Sequence, residues 1–194
     1  MSADLAFRCR CGAVTGVIRD ADSKRGDRVV CHCSDCQAFA TRFQAAERVM
    51  DGHGGTDLYQ TGCARTRIAQ GRENLACIHL TEKPTLRWYA TCCDTPMFNT
   101  YANGRIPYVT TLLGNCDRGA VDAALGPPIG HLSVEEATSD PGPVPRLSMA
   151  RLMRRFFRRM VRDVVTGDRR RNPLFDGKTL QPIARPRRVG PADG

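Results

Sequence analysis

Apolar and polar positions alternate in short runs over roughly the first 107 residues. AVTGVIR (13–19), DRVVCH (27–32), RTRIAQG (65–71), NLACIHL (74–80) and TLRWYATC (85–92) each carry β-branched or alternating apolar residues. Gly, Asp, Pro or Asn separate them, so the pattern predicts short strands and a mainly β domain. The segment SDCQAFATRF reads as a short helical turn with Ser34 as its N-cap, and a second short helix is expected from Asn115 to about Asp122. GPPIG and SDPGPVP then mark irregular chain, the second a linker candidate because proline and glycine continue neither helix nor sheet. After it comes the strongest periodicity in the chain. Met149, Leu152, Met153, Phe156, Phe157, Met160, Val161, Val164 and Val165 recur at three–four spacing, which predicts one amphipathic helix. Beyond Gly167 the chain is expected to be extended, since Pro173, Pro182 and Pro186 forbid long regular elements. The division that follows is a β domain over 1–144 and a basic helix with an extended tail over 145–194.

Charge sharpens this division. The chain carries +9 overall, yet residues 145–194 hold fourteen Arg/Lys against four Asp, and residues 1–144 hold fifteen against sixteen acids. The excess thus belongs to the tail. On the predicted helix Arg151, Arg154, Arg155, Arg158, Arg159 and Arg162 lie opposite the apolar positions, and RRRNP continues the run to Arg171. Such a face suits an anionic membrane surface or nucleic-acid phosphates. The alternative is that Leu152, Phe156 and Met160 pack on the β domain or a second subunit while the arginines are solvated. Aromatic residues that could stack on bases are missing from the RRRNP segment, Arg169–Pro173. The oligomeric state is not legible.

The length of 194 residues suits one well-buried core, and 41% hydrophobic with 25% charged residues is the composition of a folded globular chain. The N-terminus shows no apolar signal region and no window approaches a membrane span, so the expectation is a cytoplasmic protein without a transmembrane segment. Ten cysteines in that setting point to metal rather than disulfides.

The cysteines are clustered. Cys9 and Cys11 form CxC before Gly12, Cys31, Cys33 and Cys36 form CxCxxC, and Cys92 and Cys93 are adjacent in CCDTPMF. Thiolates one to four residues apart can meet one Zn²⁺. The expected metal is therefore zinc, one or two ions per chain. Cys9 and Cys11 with the Cys92–Cys93 region would make a four-thiolate site, and Cys31, Cys33 and Cys36 a three-thiolate site with an open position. Purely structural zinc at every cluster, an iron–sulfur cluster and reactive free thiols are the other readings.

These motifs resemble the zinc-binding domain of glutathione-dependent formaldehyde-activating enzymes and centromere protein V-like proteins, which have an Mss4-like β fold. The likeness rests on CxCG at Cys9–Gly12, CHCSDC at Cys31–Cys36, Leu58–Tyr59 and CDTPMF at Cys93–Phe98, and covers about residues 5–112. The chain is also similar to a subgroup with a CC-x-TP variant and a C-terminal NP-x-FD segment. The resemblance implies that Cys9, Cys11 and Cys93 hold a structural zinc and that Cys31, Cys33 and Cys36 hold the ion used in chemistry. It departs in having Ala90 where the family has the first cysteine of C-x-x-C, so that Cys92 takes that part, or else Cys63, Cys77, His79 or Cys116. Asp94 replaces the family's glycine.

A three-thiolate zinc has a formal charge of −1 and suits a thiol better than hydroxide, because an incoming thiol can take the fourth position, lose its proton and stay nucleophilic towards an aldehyde. The resemblance implies glutathione and formaldehyde as partners and a carbon–sulfur lyase activity, S-(hydroxymethyl)glutathione synthase-like. His32 is the candidate proton carrier. Asp35 is expected to be a solvated turn residue, with capping of the short helix and tuning of the thiolates as the alternative; Arg42 and Arg48 could fork onto glutathione carboxylates, and Tyr59, Trp88 and Tyr89 are expected in the core. The competing function is a non-catalytic, zinc-stabilised binding module whose arginine helix makes the contact with membrane, nucleic acid or protein.

Overall fold

The computed structural model describes residues 3–189. It is mainly β. Strands β1 (Ala3–Arg8), β2 (Thr15–Ala21) and β5 (Thr66–Gln70) form an antiparallel sheet in the order β1-β2-β5. The second sheet has eight strands in the order β10-β3-β4-β9-β8-β7-β6-β11. Its antiparallel body comprises β3 (Gly26–Cys31), β4 (Thr56–Gly62), β9 (Tyr108–Leu112), β8 (Thr95–Tyr101), β7 (Thr85–Ala90) and β6 (Leu75–His79). Two-residue strands, β10 (His131–Leu132) and β11 (Arg187–Arg188), close its edges in parallel.

The five expected strands are present with ends moved by one or two residues, while β1, β4, β8 and β9 were not expected. β8 is TPMFNTY with six of its seven residues buried, so no alternation marks it, and Pro96 within it reads as a breaker. The proline is accommodated at a register shift between Trp88 and Tyr89 on β7, where the ladder needs no donor from it. Alternation splits the large sheet into two faces. Tyr59, Cys77 and Trp88 pack with Leu5, Phe7 and Ile18 of the small sheet, and Leu58, Ile78 and Tyr89 pack with Phe39 of helix α1 (Ser34–Arg42) and with Leu152. Trp88 is fully buried and its Nε1 donates to Thr100 Oγ1 at 2.9 Å; Tyr59 is equally buried and donates its hydroxyl to the Asp22 carbonyl at 2.8 Å.

Ser34 does not cap α1. The capping position is Cys33, in extended conformation with no side-chain bond to the helix, and the Ser34 N–H is instead satisfied by the Glu136 carboxylate at 2.7 Å. A carboxylate aimed at a helix N-terminus does the same electrostatic work as a cap and leaves the Cys33 sulfur for other use. The short helix α2 (Ala46–Val49) follows, and α3 (Arg118–Leu125) starts three residues later than expected because Asp117 is its N-cap, accepting from Ala120 N at 2.8 Å.

Helix α4 (Met149–Val165) is capped by Ser148, and its face is divided. Leu152 and Phe156 are buried, Phe156 edge-on to Tyr108 at 5.2 Å, while Met149, Met153, Phe157 and Val161 remain exposed. Two of the six arginines are used internally: Arg155 and Arg159 both bind the carboxylate of Asp27, which is fully buried on β3. The tail beyond α4 also contributes to the core, with Leu174 and Phe175 buried beside Trp88.

Candidate metal centres

Seven cysteines meet in two groups in which the sulfurs lie within 4.8 Å of one another: Cys9, Cys11, Cys92 and Cys93, and Cys31, Cys33 and Cys36. All ten cysteines are free thiols.

In the first group the loop after β1 brings Cys9 and Cys11 to the turn between β7 and β8. The Sγ separations are 3.6 Å for Cys9–Cys11, 3.9 Å for Cys9–Cys92, 3.3 Å for Cys11–Cys92 and 3.8 Å for Cys92–Cys93. Four thiolates around one tetrahedral ion at about 2.3 Å would stand roughly 3.8 Å apart, so the four could hold a metal. Each loop has the conformation this requires. Gly12 takes φ +80°, its N–H bonds the Cys9 carbonyl, and Val14 N–H points at the Cys9 sulfur at 3.2 Å. On the other loop Asp94 takes φ +54°, the left-handed conformation that glycine adopts most readily and that aspartate tolerates better than most residues. Burial pushes the Cys93 thiol up, but hydrogen bonds from Thr95 Oγ1 and the Cys11 backbone outweigh it and bring it down to about 6. Of the other ligands considered, Cys63 and Cys77 lie in the core, with their sulfurs directed to the carbonyls of Asp168 and Ala184, and burial pushes these thiols and that of Cys116 up to about 12.

The second group joins the end of β3 to the first turn of α1. Cys31 and Cys33 sulfurs are 3.3 Å apart, and Cys36 completes the triangle from one turn into the helix, with its N–H bonded to the Cys33 carbonyl. Cys31 and Cys36 are buried and Cys33 is partly open. Arg87, buried on β7, lays its guanidinium 3.5 Å from the Cys36 sulfur and 5.7 Å over the Phe39 ring. Hydrogen bonds from Cys31 and Cys33, assisted by the Arg87 charge, hold the Cys36 thiol well below its ordinary value, while the bonds that Cys31 makes to Cys33 and to Cys36, together with burial, raise Cys31. Asp35 links to Lys83 at 2.8 Å and approaches Arg87 at 3.9 Å. The group can thus carry concentrated negative charge at a half-buried place, compensated by one buried cation.

His32 is fully buried and faces elsewhere. Its Nδ1 lies 3.3 Å from the His53 carbonyl and its Nε2 3.0 Å from His131 Nδ1. A carbonyl only accepts, so Nδ1 carries the proton of neutral His32 and Nε2 accepts from His131. Both nitrogens are thereby committed away from the sulfurs. Arg48 bonds Asn115 Oδ1 and the Arg8 carbonyl, whereas Arg42 lines a cleft of about 540 Å³ with Arg10, Arg187, Arg188 and Tyr89 beside Asp94.

Arg87 and Glu136 were missed in the sequence. A lone arginine between apolar neighbours in TLRWYATC was a signal for a buried counter-charge; nothing local marks Glu136, whose role depends on a contact 102 residues away.

The architecture and sites define a mainly β protein with two cysteine groups, each able to hold a metal ion. The chain belongs to a family of unknown function, DUF6151, whose model matches residues 1–185. No curated protein matches it. Three solved chains are similar to it, among them the crystal structure of a Rhodobacter sphaeroides protein from Northeast Structural Genomics, 14% identical, covering 62% of this chain and 97% of that one with a TM-score of 0.39. Among the described residues no helix is long and apolar enough to cross a membrane.

Proposed function

We propose that the protein binds zinc at both cysteine groups and that the Cys31/Cys33/Cys36 site promotes addition of a thiol of the glutathione class to a small aldehyde. The observation that carries this reading is the three-sulfur triangle at the open end of α1, one ligand short of a closed tetrahedron, against the four-sulfur group of the other site. Soft thiolates select zinc over hard cations. Zinc held there would lower the pKa of an incoming thiol and keep it nucleophilic. In the reaction the sulfur–carbon bond forms, the carbonyl π bond opens, and the thiol's proton passes to the new hydroxyl.

The chain's own residues would support this in three ways. Arg87 balances the thiolate charge, and Cys33 offers the accessible side. His32 is assigned a supporting part, fixing the backbone between two ligands.

The test is zinc per chain by elemental analysis, together with glutathione-dependent loss of formaldehyde, for wild type and a Cys31/Cys33/Cys36→Ser variant. The expected result is two zincs and activity in wild type, with one zinc, a retained fold and no activity in the variant. A single zinc in wild type, or activity unaffected by the substitutions, would overturn it.

A second reading, a binding module, is favoured by the exposed Met149, Met153, Phe157 and Val161 stripe beside the arginines of α4. Salt-sensitive co-sedimentation with phosphatidylserine vesicles, lost in Phe157→Asp, is its expected result; no association would dismiss it.

A further inference from the structure

A second concave site lies away from both cysteine groups, where α4 and the turn after it meet the ends of β2, β4 and β5. The cavity is about 260 Å³ and eight of its lining residues are cationic against three carboxylates. Four of the cations are already ion-paired: Arg25 with Asp22, Arg65 with Asp20, Arg159 with the buried Asp27 that it shares with Arg155, and Arg171 with Asp168. Among the described residues Arg19, Lys24, Arg67 and Arg162 form no salt bridge, and they are opposed only by Asp163, whose Oδ2 has no hydrogen-bond partner. The cavity therefore holds an excess of three positive charges. Such an excess is not needed to hold the fold, because the arginines that anchor α4 are the paired ones.

We propose that this cavity is a binding site for a diphosphate group. Two linked phosphoryl groups carry about three negative charges at neutral pH, which matches the unpaired excess. Guanidinium forks recognise phosphoryl oxygens in a bidentate, planar geometry that lysine alone does not supply. The walls come from two sheets and a helix, so the charges converge on one open concavity rather than spreading along a strip, as an extended polyanion would require. No lining residue is aromatic, so a base would find no stacking partner there, which disfavours nucleic acid as the occupant.

The experiment is isothermal titration of the full chain with inorganic pyrophosphate at low ionic strength, with orthophosphate, and a short oligothymidylate as competitor. Pyrophosphate is expected to bind one per chain, at least about tenfold tighter than orthophosphate, since each additional charge-assisted contact is worth that much. The variant Arg67→Glu/Arg162→Glu, at two exposed positions, should weaken binding by tenfold or more. Arg105→Glu/Arg185→Glu alters net charge equally at two exposed positions outside the cavity and off α4, and should leave the affinity within about twofold. Equal loss in both double variants would show a diffuse charge effect and overturn the site. So would binding no tighter than orthophosphate, or an oligothymidylate that pyrophosphate fails to displace. Circular dichroism of both variants establishes that each is folded.

Discussion

Arg87 and Cys36 sit 3.5 Å apart across the interface between β7 and α1, the guanidinium buried against the sulfur. The pair ties a metal-competent group to the sheet. Replacing Arg87 by Met keeps the stem and removes the charge, leaving the thiolates without their buried counter-ion. Loss of one partner of a buried pair costs about 3 kcal/mol, and we expect Arg87→Met to lower stability by that order and to release the metal of this site at a lower chelator concentration than wild type. Urea denaturation and zinc release to a chromogenic chelator measure the two effects.

Asp94 is exposed and held at φ +54°. Asp94→Gly relieves the backbone and should raise stability by about 0.5 kcal/mol, whereas Asp94→Val, β-branched at a left-handed position, should lower it by about 1–2 kcal/mol. Thermal unfolding of the two variants should move in opposite directions; a shared direction would show that the carboxylate, not the backbone angle, matters at this turn.

Asp27 is fully buried and receives both Arg155 and Arg159. Asp27→Asn removes the charge at constant size, and a cost of about 2–3 kcal/mol is expected for the broken pairing. The loss should be local first, so trypsin is expected to cut within α4 well before the β sheets unfold. Cleavage at wild-type rates would show that Leu152 and Phe156 alone hold the helix.

Burial raises the Asp163 carboxyl to about 6, reinforced by the nearby Asp168. A folded-state value above the unfolded one means that the folded state holds the proton more tightly. The contribution is complete below about pH 4 and is lost as pH rises through 6. At pH 7.5 Asp163→Asn should therefore be more stable than wild type, by about 1 kcal/mol once partial exposure is allowed for. The difference should disappear near pH 4, which melting temperatures across that range would reveal.

Legibility followed the range of the interaction. Within-cluster spacing sets which sulfurs can share an ion, so CxC, CxCxxC and the paired Cys92–Cys93 were readable, and the 3.6-residue period made α4 plain. β1, β4, β8 and β9 were not, because β8 is buried on both faces and Pro96 masks it, while TDLYQTG and YVTTL mix polar residues into ladder positions.

The sequence by itself determined the mainly β class, the three cysteine groups as local units and the basic amphipathic helix, all of which depend on residues a few positions apart. Only the tertiary structure decided that Cys92, rather than Cys63, Cys77, His79 or Cys116, joins Cys9, Cys11 and Cys93, that Arg87 is the counter-charge of Cys36, and that Arg155 and Arg159 are anchors rather than free surface charge. Those outcomes are fixed by strand order and register, which bring distant residues together through the summed burial of two sheet faces; no local pattern encodes that sum.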